Sequence, residues 1–401
     1  MALVACSSPH DQAPAPTKQD VPAAMPKDAA VDAVAAAVDA AAPAPPKKVF
    51  VHGAGRCGEC HEKMFDEWEG SAHARAVSSP IFKAAAAAAN DAACDGCHAP
   101  LAKALPRAEI PSEGVTCDVC HTLRDPKPAV TGAGFRLAID DMVKFGPRCD
   151  LKDHYFHRMG CSPEHRESAL CGSCHWWERK GVPVFTEYLD WQVGPAGSKG
   201  TTCQACHMPT ETAVLATGSP RRTGVPHHGL LGIAGDLRTR ALGLEVSVRD
   251  DQGALVVNVT LTNVNGGHAV PAGLPERRVL VRVRVRDAAG AEGEHEQRAL
   301  GRVLVDGAGV EVPFWKATRV GSDTRIGPGA SWHETFTFHP AGPGKVEVEV
   351  VHRALSDAAA TALGITDVAE LPMTSAKVAF TKGTAEKTVT IRPRPPGKRA
   401  R

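Results

Sequence analysis

The sequence predicts a multidomain protein in which a mainly α and irregular domain, organised by a recurring cysteine and histidine pattern, is followed by an all-β immunoglobulin-like sandwich. Two observations set this division. Five copies of Cys-x-x-Cys-His fall between residues 57 and 207, among scattered Gly and Pro and short helical patches. From about residue 240 the apolar residues recur with period two, the spacing of a half-buried strand.

Taken in order, residues 1–6 end in Leu-Val-Ala-Cys, the form of a lipobox, and are read as the remnant of a lipoprotein-type signal with Cys6 as the lipid anchor. Only five residues precede Cys6, so the basic and apolar parts of such a signal are expected upstream of Met1. Residues 7–49 are Ala, Pro, Asp and Lys with almost nothing to bury, which is the composition of a disordered tether. Residues 50–238 carry the motifs. Within them 63–77 and 79–94 read as helices, the first with Met64, Phe65 and Trp68 on one face. Residues 239–395 supply alternating segments at 243–250, 254–264, 277–287, 330–340, 344–355 and 386–393, with Asp-Asp-Gln-Gly, Asp-Ala-Ala-Gly and Gly-Pro-Gly as turns. A basic tail, 396–401, ends the chain.

The motifs are Cys57, Cys60 and His61; Cys94, Cys97 and His98; Cys117, Cys120 and His121; Cys171, Cys174 and His175; Cys203, Cys206 and His207. Every Cys-x-x-Cys in the chain is followed by histidine. With 18 histidines in 401 residues, that is roughly a one-in-several-million coincidence, and the pattern reads as attachment of haem c. The spacing serves the chemistry: two thiols reach the two vinyl groups on one porphyrin edge, and the adjacent imidazole swings under the ring to bind iron. Zinc ribbons use motifs in pairs and need no histidine after each, and a thioredoxin-like pair belongs at a helix start in a βαβ setting that none of the five has.

Five covalently bound haem c groups are therefore expected. Aromatic residues are only 5% of the chain, and porphyrins would supply the missing interior. A macrocycle hiding ~400 Å² of apolar surface contributes on the order of 10 kcal/mol before entropy costs, so this domain is expected not to fold without haem. The ten motif cysteines leave Cys6, Cys149 and Cys161 of thirteen; the last two either close a disulfide or stand as buried thiols.

Each iron has a second axial position, usually taken by histidine, methionine, water or substrate. The candidates are His73, placed on a helix after the first motif; one of His154 and His157; His165; one of His227 and His228; and His268, on a Gly-flanked loop of the β domain, from which it reaches back to a haem. His52 is a weaker candidate. His10, His295, His333, His339 and His352 are read as facing solvent, and Met208, directly after a proximal histidine, as packing.

The stretches Cys57–Ala76, Ser162–His175, Cys203–Pro209, His227–Gly232 and Asn263–Asp287 resemble the multihaem cytochromes of the cytochrome c-554 group, related to hydroxylamine oxidoreductase and the octahaem reductases, over residues 50 to about 290. The Trp68–Ala74 segment is the most specific part beyond the motifs. The resemblance implies a compact cluster of mostly bis-histidine haems that passes electrons, here with a β-sandwich appended. The chain departs from the enzymes of that group: its two tyrosines, Tyr155 and Tyr188, match no cross-linking position, and no Cys-x-x-Cys-Lys is present.

The expected function is electron transfer between redox partner proteins in the periplasm or at the cell surface, with low-spin haems of mostly negative potential and no catalytic residue assigned. The alternative is a haem-dependent oxidoreductase acting on a small nitrogen or sulfur oxyanion at a five-coordinate haem; a third reading makes the sandwich a partner-binding module. A net charge of +1, from 46 basic and 45 acidic residues, points to no nucleic acid, and no apolar stretch is long enough for a transmembrane helix.

Overall fold

In the computed structural model the structure describes residues 51–105, 113–139, 142–232 and 235–393. Cys6, the 7–49 tether, His10 and the basic tail lie outside the described residues. Residues 47–401 form one compact unit, so the two kinds of architecture share a single body.

The carboxyl-terminal part is a sandwich of two four-stranded antiparallel sheets. Its strands are β1 (Leu242–Asp251), β2 (Ala254–Asn263), β3 (Arg278–Asp287), β4 (Glu292–Leu300), β5 (Ser331–Phe338), β6 (Gly344–Arg353), β7 (Glu370–Phe380) and β8 (Lys387–Ile391). One sheet runs β5-β2-β1-β8 and the other β4-β3-β6-β7. Alternation decides which side of each strand is inside. On β3 the residues Val279, Val281, Val283 and Val285 pack inward with Val346, Val348 and Val350 of β6 and Leu244, Val257 and Phe338 of the facing sheet.

The other parity on β3 is arginine, and it builds a charged outer ladder. Arg282 meets Glu370 at 2.7 Å, Arg284 meets Glu349 at 3.2 Å, and Arg286 meets Glu347 at 2.7 Å. Such cross-strand pairs favour one register over a slipped one. The edge strand β4, Glu-Gly-Glu-His-Glu-Gln-Arg-Ala-Leu, is almost wholly exposed and charged, as an edge that resists pairing with other chains must be.

The amino-terminal part has short elements only. The helix expected over 63–77 runs from Glu62 to Glu69; Gly70 caps it and the chain continues as turns, so His73 stands on a turn rather than on a helix. The second expected helix runs Pro80–Ala89, with Pro at its start and Asn90 in the left-handed conformation at its end. Two-stranded pairs join the rest, among them a parallel pair, Val143–Gly146 with Arg158–Cys161, clasped by the Cys149–Cys161 disulfide.

The two parts are bonded as well as packed. Arg302, 6% exposed, reaches Pro183 O at 3.2 Å and Thr186 Oγ1 at 3.1 Å, and Arg325 pairs with Asp190 at 3.0 Å. Val182, Val184, Leu304 and Phe314 form a small shared apolar cluster between them.

The outer ladder makes a pH prediction. Hydrogen bonds from Arg286 and Lys377 hold Glu347 down at about 2, against an ordinary value of 4.5. A depressed carboxyl stabilises the fold fully above its unfolded value and loses that contribution as pH falls through the folded one. Glu347→Gln is expected to flatten the fall in urea midpoint between pH 5 and pH 2, followed by far-UV circular dichroism; an unchanged slope would exclude the ladder as its source.

Candidate cofactor cavity and its histidines

Each motif folds as one helical turn: Ala54–Gly58, Asp95–His98, Cys117–Thr122, Ala169–Gly172 and Cys203–His207 are helices of four to six residues placed on the motifs. A turn of this kind puts the two thiols on one side and carries the histidine just past them, as the His61 N–H to Cys57 O bond of 2.9 Å and the His175 N–H to Cys171 O bond of 3.0 Å show. The turns are neighbours in space. The thiols of Cys57 and Cys117, of Cys97 and Cys174, and of Cys171 and Cys203 are close neighbours, and Cys120 lies near both Cys171 and Cys174. The first motif thus adjoins the third, the third the fourth, and the fourth both the second and the fifth.

Around these turns opens a cavity of about 1800 Å³, well above the several hundred Å³ of an ordinary small-molecule pocket. All eight cysteines of the first four motifs line it; the fifth motif contributes Gln204 and Ala205. The cysteines are half-buried thiols, and among the described residues no group of three or more His, Cys, Asp or Glu converges as a metal-ion site.

Four motif histidines face another imidazole. Ring centres are 6.2 Å apart for His61 and His157, 6.2 Å for His175 and His73, and 6.3 Å for His207 and His268. His121 faces two rings, His228 at 6.2 Å and His165 at 5.8 Å. Two imidazoles on opposite sides of one metal ion, each nitrogen ~2 Å from it and each ring centre about 1 Å further out, have centres about 6 Å apart. His98 differs: Phe82 stacks on it at 4.1 Å, and among the described residues no imidazole is paired with it across such a gap.

Nitrogen bookkeeping sharpens this. Nδ1 of His61 bonds Leu215 O at 2.6 Å, that of His98 bonds Ala76 O at 3.0 Å, that of His121 bonds Phe145 O at 2.6 Å, and that of His207 bonds Leu231 O. A ring that donates Nδ1–H to a carbonyl keeps Nε2 as a bare lone pair aimed at a metal. His228 does likewise through Pro226 O at 2.9 Å, and His268 through Ala269 O at 3.1 Å. His227 has both nitrogens engaged, with Glu67 at 3.4 Å and the Gly229 N–H at 3.0 Å. His165 spends Nε2 on Cys120 O at 2.9 Å, and His154 is exposed against Tyr155 and Phe156. Burial pushes His73, His165 and His228 down to about 4, keeping them neutral. His52 is exposed; its backbone N–H bonds Asp118 at 2.7 Å.

Besides the placement of His73, the structure corrects a second expectation. His352, read as facing solvent, is 5% exposed and lies on the cavity wall with Nε2 sealed from water and without a partner. Its parity was the available signal: on β6 it continues Val346, Val348 and Val350, all inward. Asn263 was also missed. Its Nδ2 donates to His268 O and Ile326 O, both at 2.9 Å, and its Oδ1 accepts the Gly266 N–H at 2.8 Å, which fixes the loop that presents His268.

Residues 56–122, spanning the first three motifs, match the family described as cytochrome c554 and c-prime. Among solved structures the chain is similar to a penta-haem cytochrome c552 from Thermochromatium tepidum, at 22% identity and a TM-score of 0.68, with 82% of this chain and 99% of that one covered. That coverage exceeds what residues 51–241 could supply, so the likeness runs into the sandwich. No curated protein matches the sequence. The chain has the fold of a multihaem c-type cytochrome whose helical and irregular part continues into antiparallel sheets. Among the described residues no helix is long and apolar enough to cross a membrane.

Asn263→Ala leaves buried groups of the His268 loop unpaired, at a cost of about 1–3 kcal/mol. Faster amide exchange at Gly266–Ala269 and a lower urea midpoint are expected; unchanged exchange there would show that Asn263 does not hold the loop.

Proposed function

We propose that the chain is an electron carrier holding five haem c groups, one on each Cys-x-x-Cys-His turn, and that it passes electrons between redox partner proteins in the periplasm or at the cell surface. The observation that carries this is the facing of imidazoles across gaps of about 6 Å, with Nδ1 hydrogens given to backbone carbonyls in the pairs other than His73 and His175. The haem irons, when bound, supply the one-electron chemistry. The chain supplies orientation, exclusion of water and ligand choice.

On this reading His61, His98, His121, His175 and His207 are proximal ligands. His157, His73, His228 and His268 complete four of the sites, whereas His154 is exposed, His227 has both nitrogens engaged and His165 spends its Nε2 on the Cys120 carbonyl, so these three do not ligate. Two neutral imidazoles per iron favour the ferric state more than a thioether sulfur does, which sets low potentials. The adjacency of the motifs gives a path from the first through the third to the fourth, with branches to the second and the fifth.

A second reading is favoured by His98 alone. With no imidazole across from it among the described residues, its haem would keep one axial position for a small nitrogen or sulfur oxyanion, which makes the chain an oxidoreductase at that site.

Mass together with a pyridine haemochrome assay is expected to return five haems per chain, and a different count refutes the assignment. His228→Ala and His157→Ala are each expected to convert one low-spin haem to high spin by electron paramagnetic resonance. His227→Ala and His154→Ala are expected to leave the spectrum unchanged; the reverse pattern would overturn the ligand set. A native high-spin signal that shifts with cyanide would support the second reading, and five saturated low-spin sites would exclude it.

A further inference from the structure

His352 has no place in the ligand scheme, yet it is buried on the cavity wall with an unpartnered Nε2. Strand register says what stands beside it. His352 pairs with Val279 across β6 and β3, and paired residues share a face. Arg277, two residues before Val279, continues that inward parity just ahead of β3, so it is the diagonal neighbour of His352. It also lines the cavity, and burial first, then the charges of Arg277 and Arg238, depress the His352 ring. The two residues therefore end the valine column at the point where the sandwich core gives way to the cavity.

Arg277 is built into place. Its Nη1 donates to Ala272 O at 3.0 Å, and its guanidinium lies where a side chain at Gly273, φ +85°, would have to sit. Glu187, whose Oε2 is buried without a hydrogen-bond partner, and Glu276 attract it, but neither is on the cavity wall. Glu187 accepts the Gly273 N–H and Glu276 the Phe314 N–H, and burial favours the neutral form of Glu276. Among the described residues no carboxylate closes an ion pair with Arg277. A half-buried cation of this kind next to a buried ring nitrogen without a partner is costly unless an anion completes it.

The part of the cavity concerned is that of the second motif. Phe82, stacked on His98, belongs to the Pro80–Ala89 helix, and Ile81 of that helix packs against the cluster of Leu355, Ala359 and Ala360, which begins three residues beyond His352. We propose that Arg277 and His352 form an anion-binding pair contributed by the sandwich to the haem held by Cys94, Cys97 and His98, with a carboxylate-type oxyanion as its ligand. This rests on the haem reading above. Two sources carry such a group: a propionate of that haem, or a small free oxyanion at its open axial face. A guanidinium fork and one imidazole N–H suit two oxygens of either.

The test uses the full haem-loaded chain with Arg277→Met, His352→Phe and His352→Gln, the last keeping a donor. Redox titration resolves the potentials, optical titration of the ferric protein with nitrite gives an affinity, and mass gives haems per chain. If a propionate is the ligand, Arg277→Met lowers the potential of one haem and leaves the nitrite titration unmoved. If a free oxyanion is the ligand, nitrite binds the native protein, and Arg277→Met and His352→Phe weaken it about tenfold or more, with His352→Gln restoring most of the loss. Full haem content with all potentials and nitrite affinity unmoved in every variant overturns the pair alone, whereas a native chain without haem overturns the haem reading itself.

Discussion

An apolar space of about 1800 Å³ enclosed by chain that cannot fill it is the constraint on which the amino-terminal part depends. Valine, leucine and phenylalanine fill the sandwich by themselves. Around the motifs the side chains form only small clusters, such as Val51, Leu101 and Val119, and the helices are too short to hold their shape through propensity. Stability there has to come from apolar surface supplied from outside the polypeptide and tethered to it, which is what thioether-bound macrocycles provide. Tethering also removes the entropy cost of recruiting several large groups into one cavity.

The same constraint explains why so much backbone is spent on holding imidazoles. A histidine that rotates freely is a poor axial ligand, and a ring whose Nδ1 hydrogen is committed to a carbonyl has one tautomer and one direction. Leu215, Phe145 and Leu231 each give a carbonyl to a motif histidine from a segment remote in sequence, so ligand geometry and tertiary fold stand or fall together. The sandwich enters the same arrangement. Asn263, buried at the end of β2, fixes the loop of His268, and the loop brings that ring opposite His207.

The sequence showed most where one local rule decides. Period-two alternation located β1, β2, β3, β5, β6 and β8, but not β4 or β7. Strand β4 is an exposed edge of mostly charged residues without an apolar face, and β7 mixes Pro372 and a register shift into its alternation. The motifs themselves were equally legible, because every Cys-x-x-Cys is followed by histidine, whereas their folding as single helical turns was not foreseen. Which of His227 and His228, or of His154 and His157, faces a motif histidine was beyond it, because that depends on how segments distant in sequence are placed. His73 shows the opposite limit: Trp68 and its neighbours do form a helix, but Gly70 ends it before the histidine. The error over His352 came from treating a polar residue as outward although its parity on β6 pointed inward.

The three ends of the motif path are not alike. The fifth is covered by the His268 loop, and the second lies against Leu355 and the helix Asp357–Leu363 through Ile81. The first is flanked instead by the loop closed between Cys149 and Cys161, which carries His157 opposite His61 and, at its tip, Tyr155 and Phe156 at 76% and 51% exposure. Electron transfer between proteins requires close approach of the two cofactors, and two ends of this path are shielded by the sandwich's own residues. Of the three ends, the first is the one whose facing histidine and flanking loop come from the amino-terminal part itself, which on the electron-transfer reading makes it the end a partner would approach.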